Sequence, residues 1–401
     1  MTAKILSVGT AVPTNVLHQS TIRDLFAAQP NLGRLAQRLV RSAFDASAIE
    51  RRHTAIPDLA NTADRNENAT FVTGPDFVLQ HPTTKQRNDV YIAEAPPLFA
   101  AAARNALEES GVRADEITHV VTASCTGFYA PGPDYRLVRD LGLSTRVERY
   151  HIGFLGCAAA FPALRAAERI VAAQPGSHVL VVCGELCSLH VRSSEDPEQI
   201  VAAAVFADGA SAAVVSDSAP RGGRPALELN AFATAITEQG EHDMRWIIGD
   251  EGFEMTLTAE VPRIIGREII GAIEGFLDPA NIDAWAVHPG GKSILDRVEA
   301  GLDLDESALD DSRAVLRDYG NMSSATIMFI LRRLLVDESL VDGSRIAGLA
   351  FGPGLTVEQA RFTKVGAVAI SDLVVPIEEG MHDSAEHGAS ANSDAATVSA
   401  A

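Results

Sequence analysis

Two stretches of the chain follow one plan, and this internal repeat restricts the folds that the chain can adopt. Each has a strand, a connecting segment, a Gly-X pair, a helix and a second strand. Cys125 ends the first strand of one stretch, 32 residues (157 − 125) before Cys157, and His288 ends that of the other, 33 residues (321 − 288) before Asn321. Because apolar strands and helices alternate in both, the sequence predicts a duplicated α/β domain with strands between helices. A pseudo-twofold axis in such a domain could bring these four residues together.

The boundary between the two halves is predicted from a change in composition. The segment 216–225, SDSAPRGGRP, is rich in Ser, Pro and Gly, which favour loops. We therefore expect one half over 1–218 and a second over 225–375. The last residues, 379–401, have neither periodicity nor bulky apolar side chains, which predicts a disordered tail.

Local patterns predict further elements near the N-terminus. Residues 4–12 have the composition of a strand, and 20–52 have apolar positions at helical spacing with interleaved arginines. The polar segment 53–90 is expected to be irregular. A helix is predicted over 97–110, with a proline early in it and Gly111 placed to end it.

Charge and composition exclude several classes of function. The formal net charge is 33 − 53 = −20, which argues against nucleic acid or an anionic membrane as partner but leaves room for a local basic pocket. No apolar run approaches the roughly 18 to 20 residues that span a bilayer. The four cysteines fit neither a disulfide framework nor a zinc site, so a reducing cytoplasm is expected. The sequence has no phosphate-binding loop, Rossmann fingerprint, HExxH, GxSxG or EF-hand loop.

Three residues have local contexts that suit catalysis. Cys157 follows Gly156 at a helix N-terminus, where the dipole favours a thiolate; the alternative is a cysteine that is merely buried. His288, in AVHPGGK, ends a strand before a sharp turn and could exchange a proton with a thiol, or be structural. Asn321, in YGNMSSA, could donate to an oxyanion or only cap a helix.

Other positions have weaker signals. Ser323 could cap a helix or line a pocket. The turn around Gly354, in LAFGPGLTVE, is rigid and allows close approach of another segment. Glu185, beside an apolar strand, is interpreted as a buried structural acid rather than a pocket residue.

Together and in this order, these segments resemble the type III polyketide synthases, the chalcone synthase-like family. The resemblance covers most of the chain from about 115 to 360, and the SCTGF stretch is more similar to the bacterial branch. The stretches that carry it are ITHVVTASCTGFYAPGPDY (117–135), GCAAAFPALR (156–165), VLVVCGELCSLH (179–190), VFADGASAAVV (205–215), AVHPGGKSILDRVE (286–299), YGNMSSATIMFIL (319–331) and FGPGLTVE (351–358).

The resemblance implies a thiolase-like, duplicated five-layered αβαβα fold. It implies that Cys157 carries the acyl chain as a thioester, and that His288 and Asn321 activate the thiol and hold the thioester carbonyl. Phe206 matches one aromatic gatekeeper between the CoA tunnel and the cavity. Met255 stands where the second is normally Phe, which implies a softer gate.

The resemblance also implies a set of substrate-binding positions. Trp246 stands where plant members have a glycine, and Ala46 where a CoA-binding lysine is expected. The remaining cavity positions are Cys125, Cys187, His190, Ser323 and Gly354. The nearest candidates for CoA binding are Arg38, Arg41, Arg51 and Arg52.

The expected activity is iterative decarboxylative Claisen condensation of malonyl-CoA onto an acyl-CoA starter, with cyclisation to a pyrone or phenolic product. The resemblance implies a cytoplasmic homodimer that uses CoA thioesters and needs neither metal nor redox cofactor. Two alternatives remain: a single condensation like that of ketoacyl-ACP synthase III, and an inactive acyl-CoA-binding homologue. The GNMSSA and GPGLT segments favour the polyketide branch.

Overall fold

The computed structural model describes residues 2–60, 69–74 and 76–366. The expected tail and the end of the expected second half lie outside them. The strands are β1 (Lys4–Ala11), β2 (Asn15–His18), β3 (Arg51–Thr54), β4 (Val72–Thr73), β5 (Val78–Leu79), β6 (His119–Ser124), β7 (Glu148–Gly153), β8 (His178–Leu186), β9 (Asp208–Ser216), β10 (Ala226–Ile236), β11 (Met244–Gly249), β12 (Gly252–Leu257), β13 (Ala284–Val287), β14 (Arg345–Gly352) and β15 (Thr356–Val365). The α-helices are α1 (Gln19–Ala27), α2 (Arg34–Asp45), α3 (Pro57–Ala60), α4 (Thr84–Ser110), α5 (Pro133–Asp140), α6 (Ala160–Ala173), α7 (Pro197–Val205), α8 (Val261–Ile273), α9 (Lys292–Gly301), α10 (Asp310–Tyr319) and α11 (Thr326–Val336).

One mixed sheet has two halves that are joined at a corner, which is formed by the start of β1. Its strand order is β13-β14-β15-β10-β1-β9-β8-β6-β7. β1 pairs with β9 from Lys4 to Ala11, but with β10 only at Lys4 and Ile5. The two halves therefore separate beyond this corner and leave space between them.

Helices fill that space and cover both outer faces. α6 packs on β8 and β6 of one half and on β15 of the other, and α11 packs on β1, β9 and β13. α4 covers the outer face of β1, β9 and β8, while α8 packs on β10 and on α9. A buried cluster that includes Phe161, Met328 and Phe362 fills the central layer. The five-layered thiolase-like fold is confirmed.

The longest helix differs from the prediction. α4 begins at Thr84, not at 97, because the Thr83 side chain accepts a hydrogen bond from the backbone N–H of Gln86 in a capping box. Pro96 and Pro97 lie inside the helix, where each removes a backbone donor. Burial of one helix face against the sheet offsets this loss. Gly111 ends the helix at φ +68°, as predicted.

The segment predicted as helical over 20–52 is also more divided than its periodicity indicates. It contains α1, α2 and then β3, which pairs with β2. The two strands of the sequence repeat that lead to Cys125 and His288 begin at His119 and Ala284, each after a short 3₁₀ turn.

Corresponding 3₁₀ turns open the two central helices. Gly156–Ala158 precedes α6, and Ser323–Ala325 precedes α11. Asn321 is held just before the second turn, because its N–H donates to the carbonyl of Val205 at 2.9 Å and its carbonyl accepts from the N–H of Ala207 at 2.8 Å. Cys157 therefore lies in one turn and Asn321 just before the other, so the two residues occupy similar places in the two halves of the sequence repeat.

Candidate active site

Cys157, His288 and Asn321 line one cavity of about 590 Å³. The Cys157 thiol donates to Asn321 Oδ1 at 3.8 Å. That oxygen also accepts from the backbone N–H of Ser323 at 2.9 Å, and Asn321 Nδ2 donates to the carbonyl of Gly290 at 3.3 Å. The amide is thus held by the backbone, and its second N–H is available to a substrate oxygen.

Backbone packing places Cys157 in the cavity. Gly156 has φ +58°, and a Cβ at this position would lie 2.6 Å from Cδ of Pro353. Only glycine combines this backbone conformation with such a contact. The segment that the turn around Gly354 was predicted to approach closely is therefore Gly156, which Pro353 contacts.

His288 is buried without a polar partner. It is 1 % exposed, and neither ring nitrogen has a hydrogen-bond partner among the described residues. Burial lowers the pKa of His288 to about 3, so the imidazole is neutral near pH 7. A buried unpaired polar group is costly, and this one faces a cavity where a substrate could supply the missing hydrogen bond.

Burial of Cys157 opposes the thiolate that its place at a helix N-terminus is predicted to favour. Burial raises the pKa of the Cys157 thiol to about 11, although hydrogen bonds with Ser323 and Asn321 act in the opposite direction. Loss of hydration therefore outweighs these hydrogen bonds. Both shifts favour a neutral thiol beside a neutral imidazole near pH 7.

Glu185 has the structural environment that the sequence favoured. The carboxylate is fully buried and accepts hydrogen bonds from Ser324 Oγ at 2.6 Å, Thr126 Oγ1 at 2.8 Å and the N–H of Cys125 at 2.9 Å. Burial raises its pKa. These contacts tie the end of β6 to the turn before α11.

A second, much smaller cavity of about 20 Å³ lies behind the first. Such a volume holds about one water molecule. Its lining includes Cys125, Cys187, Trp246 and Ser323, four of the predicted cavity positions. The residues that line both cavities are Cys157, Phe206, Met244 and Met255. The two predicted gatekeepers therefore lie where the cavities adjoin, together with Met244, which the sequence comparison missed.

Trp246 explains why the inner cavity is small. Its Nε1 donates to the carbonyl of Cys125 at 2.6 Å. Its ring centroid lies 5.4 Å from that of His190, 5.8 Å from Phe253 and 6.4 Å from Phe206. The hydrogen bond and the aromatic contacts hold the indole in the space behind the gate.

Two predicted cavity residues line neither cavity. His190 Nε2 is 2.8 Å from the carbonyl of Thr126, and its Nδ1 accepts from the N–H of Phe253 at 3.0 Å. His190 therefore stabilises the cluster of aromatic rings around Trp246 without lining either cavity. Gly354 lies in the turn Pro353–Leu355 at φ +69°, and only its neighbour Pro353 reaches the inner cavity.

The predicted CoA-binding arginines do not line the large cavity. Arg52 is 2 % exposed, and its Nη1 donates to the carbonyls of Phe206 at 2.6 Å and Ala203 at 2.9 Å, so its assignment to CoA was wrong. Arg38, Arg41 and Arg51 are absent from the lining. The direction of a side chain on α2 depends on tertiary packing, which sequence spacing did not reveal.

Basic residues at the cavity come from elsewhere in the chain: Arg263, Lys292 and Arg297. No group of His, Cys, Asp or Glu within the described ranges could hold a metal ion. Within the same ranges, no helix has both the length and the apolar character to cross a membrane.

Two half-sheets around paired central helices, with Cys, His and Asn at element ends, define a thiolase-like condensing enzyme. Family profiles make the assignment more specific. The N-terminal domain of chalcone and stilbene synthases matches residues 1–220, and the C-terminal domain of the same family matches residues 228–365. The chain therefore belongs to the chalcone and stilbene synthase family and is a type III polyketide synthase, an acyl-transferring enzyme.

Solved structures agree with this family. PKS-I from the brown alga Ectocarpus siliculosus is 29% identical with a TM-score of 0.84, and the match covers 91% of this chain and 98% of that one. The C-terminal type III polyketide synthase domain of Steely1, a type I/III hybrid from Dictyostelium, is 28% identical with a TM-score of 0.81, covering 91% and 100%.

Proposed function

We propose that the chain condenses malonyl-CoA onto an acyl-CoA starter, with Cys157 as nucleophile and His288 and Asn321 as its partners. The observation that carries this assignment is the convergence of the three side chains in one cavity, where His288 has two unpartnered ring nitrogens. The family to which the chain belongs uses CoA thioesters as substrates.

In the loading step, neutral His288 accepts the proton of the Cys157 thiol as sulfur attacks the starter thioester carbon. The C–S bond to CoA breaks, and the CoA thiolate leaves with the proton returned by the imidazolium. The starter remains on Cys157 as a thioester. A neutral imidazole suits this role, because it can accept a proton only when it does not already carry one.

In the extension step, malonyl-CoA loses CO₂ and the electron pair passes into an enolate oxygen. The N–H groups of His288 and of the Asn321 amide donate to that oxygen; removing one such donor costs roughly 3–4 kcal/mol of transition-state stabilisation. The enolate carbon then attacks the Cys157 thioester, the Cys157 thiolate leaves, and the extended chain is carried by CoA. These steps use no metal ion, so we expect activity to survive dialysis against EDTA.

Product size is proposed to be small. The inner cavity, of about 20 Å³, adds little space behind the gate to the large cavity of about 590 Å³, which supports a short starter and few extensions before closure to a small pyrone or phenolic ring. The deformable side chain of Met255 allows some expansion of the gate. This favours acetyl-sized and other short starters over long fatty acyl chains.

A mass-resolved assay tests the proposal. Purified protein is incubated with malonyl-CoA and starters from acetyl to long-chain and aromatic CoA esters, without carrier protein. Cyclic products that vanish in Cys157→Ala, while Cys183→Ala, at a buried cysteine that lines neither cavity, retains activity, support the assignment. Linear single-extension products that require acyl carrier protein would instead favour the ketoacyl synthase alternative.

We also propose a homodimer that uses the β7 edge of the sheet. β7 is exposed along almost its whole length, and Phe128, Tyr150 and Leu155 are exposed apolar residues in this region. An exposed strand edge with apolar side chains favours association. Sedimentation should give twice the chain mass of 42.5 kDa. Tyr150→Arg should shift it to monomer, whereas Ile236→Arg, also at an exposed position, should not.

Three finer assignments follow from the same features. The halves are proposed to divide within 216–225, a segment that contains the boundary between β9 and β10, and limited proteolysis there would test the division. The SCTGF stretch supports placement in the bacterial branch, which a sequence tree would test. Four free buried cysteines support a cytoplasmic location, which cell fractionation would test.

A further inference from the structure

We propose that the phosphates of CoA bind to Arg263, Lys292 and Arg297 on α8 and α9, rather than to arginines of α2. This inference rests on the proposed function, because it concerns the same large cavity. All three side chains are exposed to solvent and line that cavity, whereas Cys157 and His288 line it while buried. The cavity therefore runs from the buried thiol to a solvent-exposed basic rim.

The α2 side of the cavity supplies no charge. α2 and the turn after it contribute Ala43, Ala46 and Ser47 to the lining. Arg41 is turned toward α1, where its Nη1 lies 3.4 Å from Asp24 Oδ1. A ligand in the cavity that approached from this side would meet methyl and hydroxyl groups.

Arg297 is the least neutralised of the three cations. Among the residues that the structure describes, no carboxylate oxygen lies within 4.0 Å of its guanidinium, and it has no hydrogen bond. Its side chain crosses α8 at Gly266, where a Cβ would lie 3.2 Å from Arg297 Cδ. The missing side chain at Gly266 gives Arg297 room to lie along the cavity rim.

The other two cations have carboxylate partners. A bound phosphate would compete with these carboxylates for the cation or share it with them. Arg263 pairs with Glu260. Lys292 Nζ lies 2.6 Å from Asp296, which also accepts from Arg313 Nη1 at 2.8 Å. Since Asp296 has two cationic neighbours, Lys292 is only partly neutralised. The lining also includes the carboxylate of Glu198 on α7, so the basic character belongs to the α8–α9 side.

The start of α9 adds backbone donors to this rim. Gly290, Gly291, Lys292 and Ser293 line the cavity, and the N-cap Gly291 offers no side-chain oxygen. The first N–H groups of an uncapped helix attract anions. The buried His288, unpartnered at the inner end of the same cavity, independently indicates a bound ligand. In a protein of net charge −20, a polyanion requires such a local cationic surface.

Kinetics with two forms of the substrate test the assignment. The single variants Arg263→Ala, Lys292→Ala and Arg297→Ala are compared on malonyl-CoA and on malonyl-N-acetylcysteamine, which lacks every phosphate. Each variant should raise KM for malonyl-CoA by about three- to tenfold, with kcat and the KM for the truncated thioester unchanged. Arg267→Gln on α8 and Arg38→Gln on α2 are the matched controls and should behave as wild type.

Three outcomes would overturn the inference: unchanged KM in all three variants, an equal rise for the truncated thioester, or a larger effect of Arg38→Gln. A direct measurement separates this inference from the proposed function. Calorimetry with adenosine 3′,5′-bisphosphate should show binding to folded wild type that weakens in the rim variants. If wild type made no product from either thioester, the proposed function would fail, and the calorimetry would still decide the phosphate site.

Discussion

Replacement of Trp246 by alanine should enlarge the inner cavity and lengthen the product. The indole fills the space behind the gate, donates to the carbonyl of Cys125 at 2.6 Å, and leaves a cavity of about 20 Å³. The substitution removes nine heavy atoms and opens on the order of 100 Å³; at about 24 cal/mol per Å³ the cavity alone costs about 2.4 kcal/mol. Because Trp246 is only partly buried, we expect destabilisation at the low end of the range for such truncations, about 3 kcal/mol.

The assay has two readouts, product mass and thermal midpoint. Trp246→Ala should yield products with at least one more ketide unit than wild type, and its Tm should fall. The matched control is Trp285→Ala: Trp285 is buried in β13 and lines neither cavity, so it should lower Tm without changing product mass. If Trp246→Ala kept the wild-type product distribution, or if Trp285→Ala changed it equally, Trp246 would not limit chain length.

Two further substitutions test the gate and the approach to the nucleophile. Met255→Phe should stiffen the gate and reduce kcat/KM for bulky starters more than for acetyl-CoA; an unchanged starter preference, measured by competition, would remove Met255 from the gate. Gly156→Ala should lower both Tm and acyl loading, because the new Cβ would lie 2.6 Å from Pro353 at φ +58°. The control is Gly176→Ala, where φ is +83° but no atom lies within 4 Å of the new Cβ, so this variant has the backbone strain without the contact. Equal effects of the two variants on acyl loading would contradict the packing argument.

The positions of the proposed catalytic residues could be predicted from the sequence because these residues lie at element ends. Cys125 and His288 each follow a strand, and Cys157 and Asn321 each follow a glycine that precedes a helix. These local patterns predict the order of the elements, and the order of the elements places the four residues. The start of α4 was mispredicted because Pro97 was interpreted as a residue of the first helical turn, whereas tertiary burial of one face sustains the helix through both prolines. The local sequence pattern does not predict which helix face is buried in the tertiary structure.

The directions of side chains and the volumes of the cavities could not be predicted from the sequence. Arg52 looked available for an anionic ligand, yet its guanidinium holds the backbone at Phe206. No sequence pattern singled out Arg297, which the packing of α8 against α9 brings to the cavity. Trp246 was recognised as unusual, but its orientation follows from one hydrogen bond to a strand that is distant in sequence.

The pKa values at the site give a pH profile that differs from that of a preformed thiolate–imidazolium pair. Burial lowers the pKa of His288 to about 3 and raises that of Cys157 to about 11. The neutral pair therefore dominates at every pH between these values, and proton transfer must accompany attack on the bound thioester. We expect kcat/KM for acyl loading to be flat from pH 6 to pH 9, with no acid limb near the ordinary histidine pKa of about 6.5.

Alkylation in the absence of substrate gives the complementary measurement. Because the thiolate is the reactive form, labelling of Cys157 by iodoacetamide should rise about tenfold per pH unit from pH 7 to pH 10, and unfolded protein should level off about 2.5 pH units earlier. A labelling plateau below pH 8 in folded protein, or a loading limb centred near pH 6.5, would mean that the pair is already ionised. In that case activation of the thiol would not depend on the bound substrate.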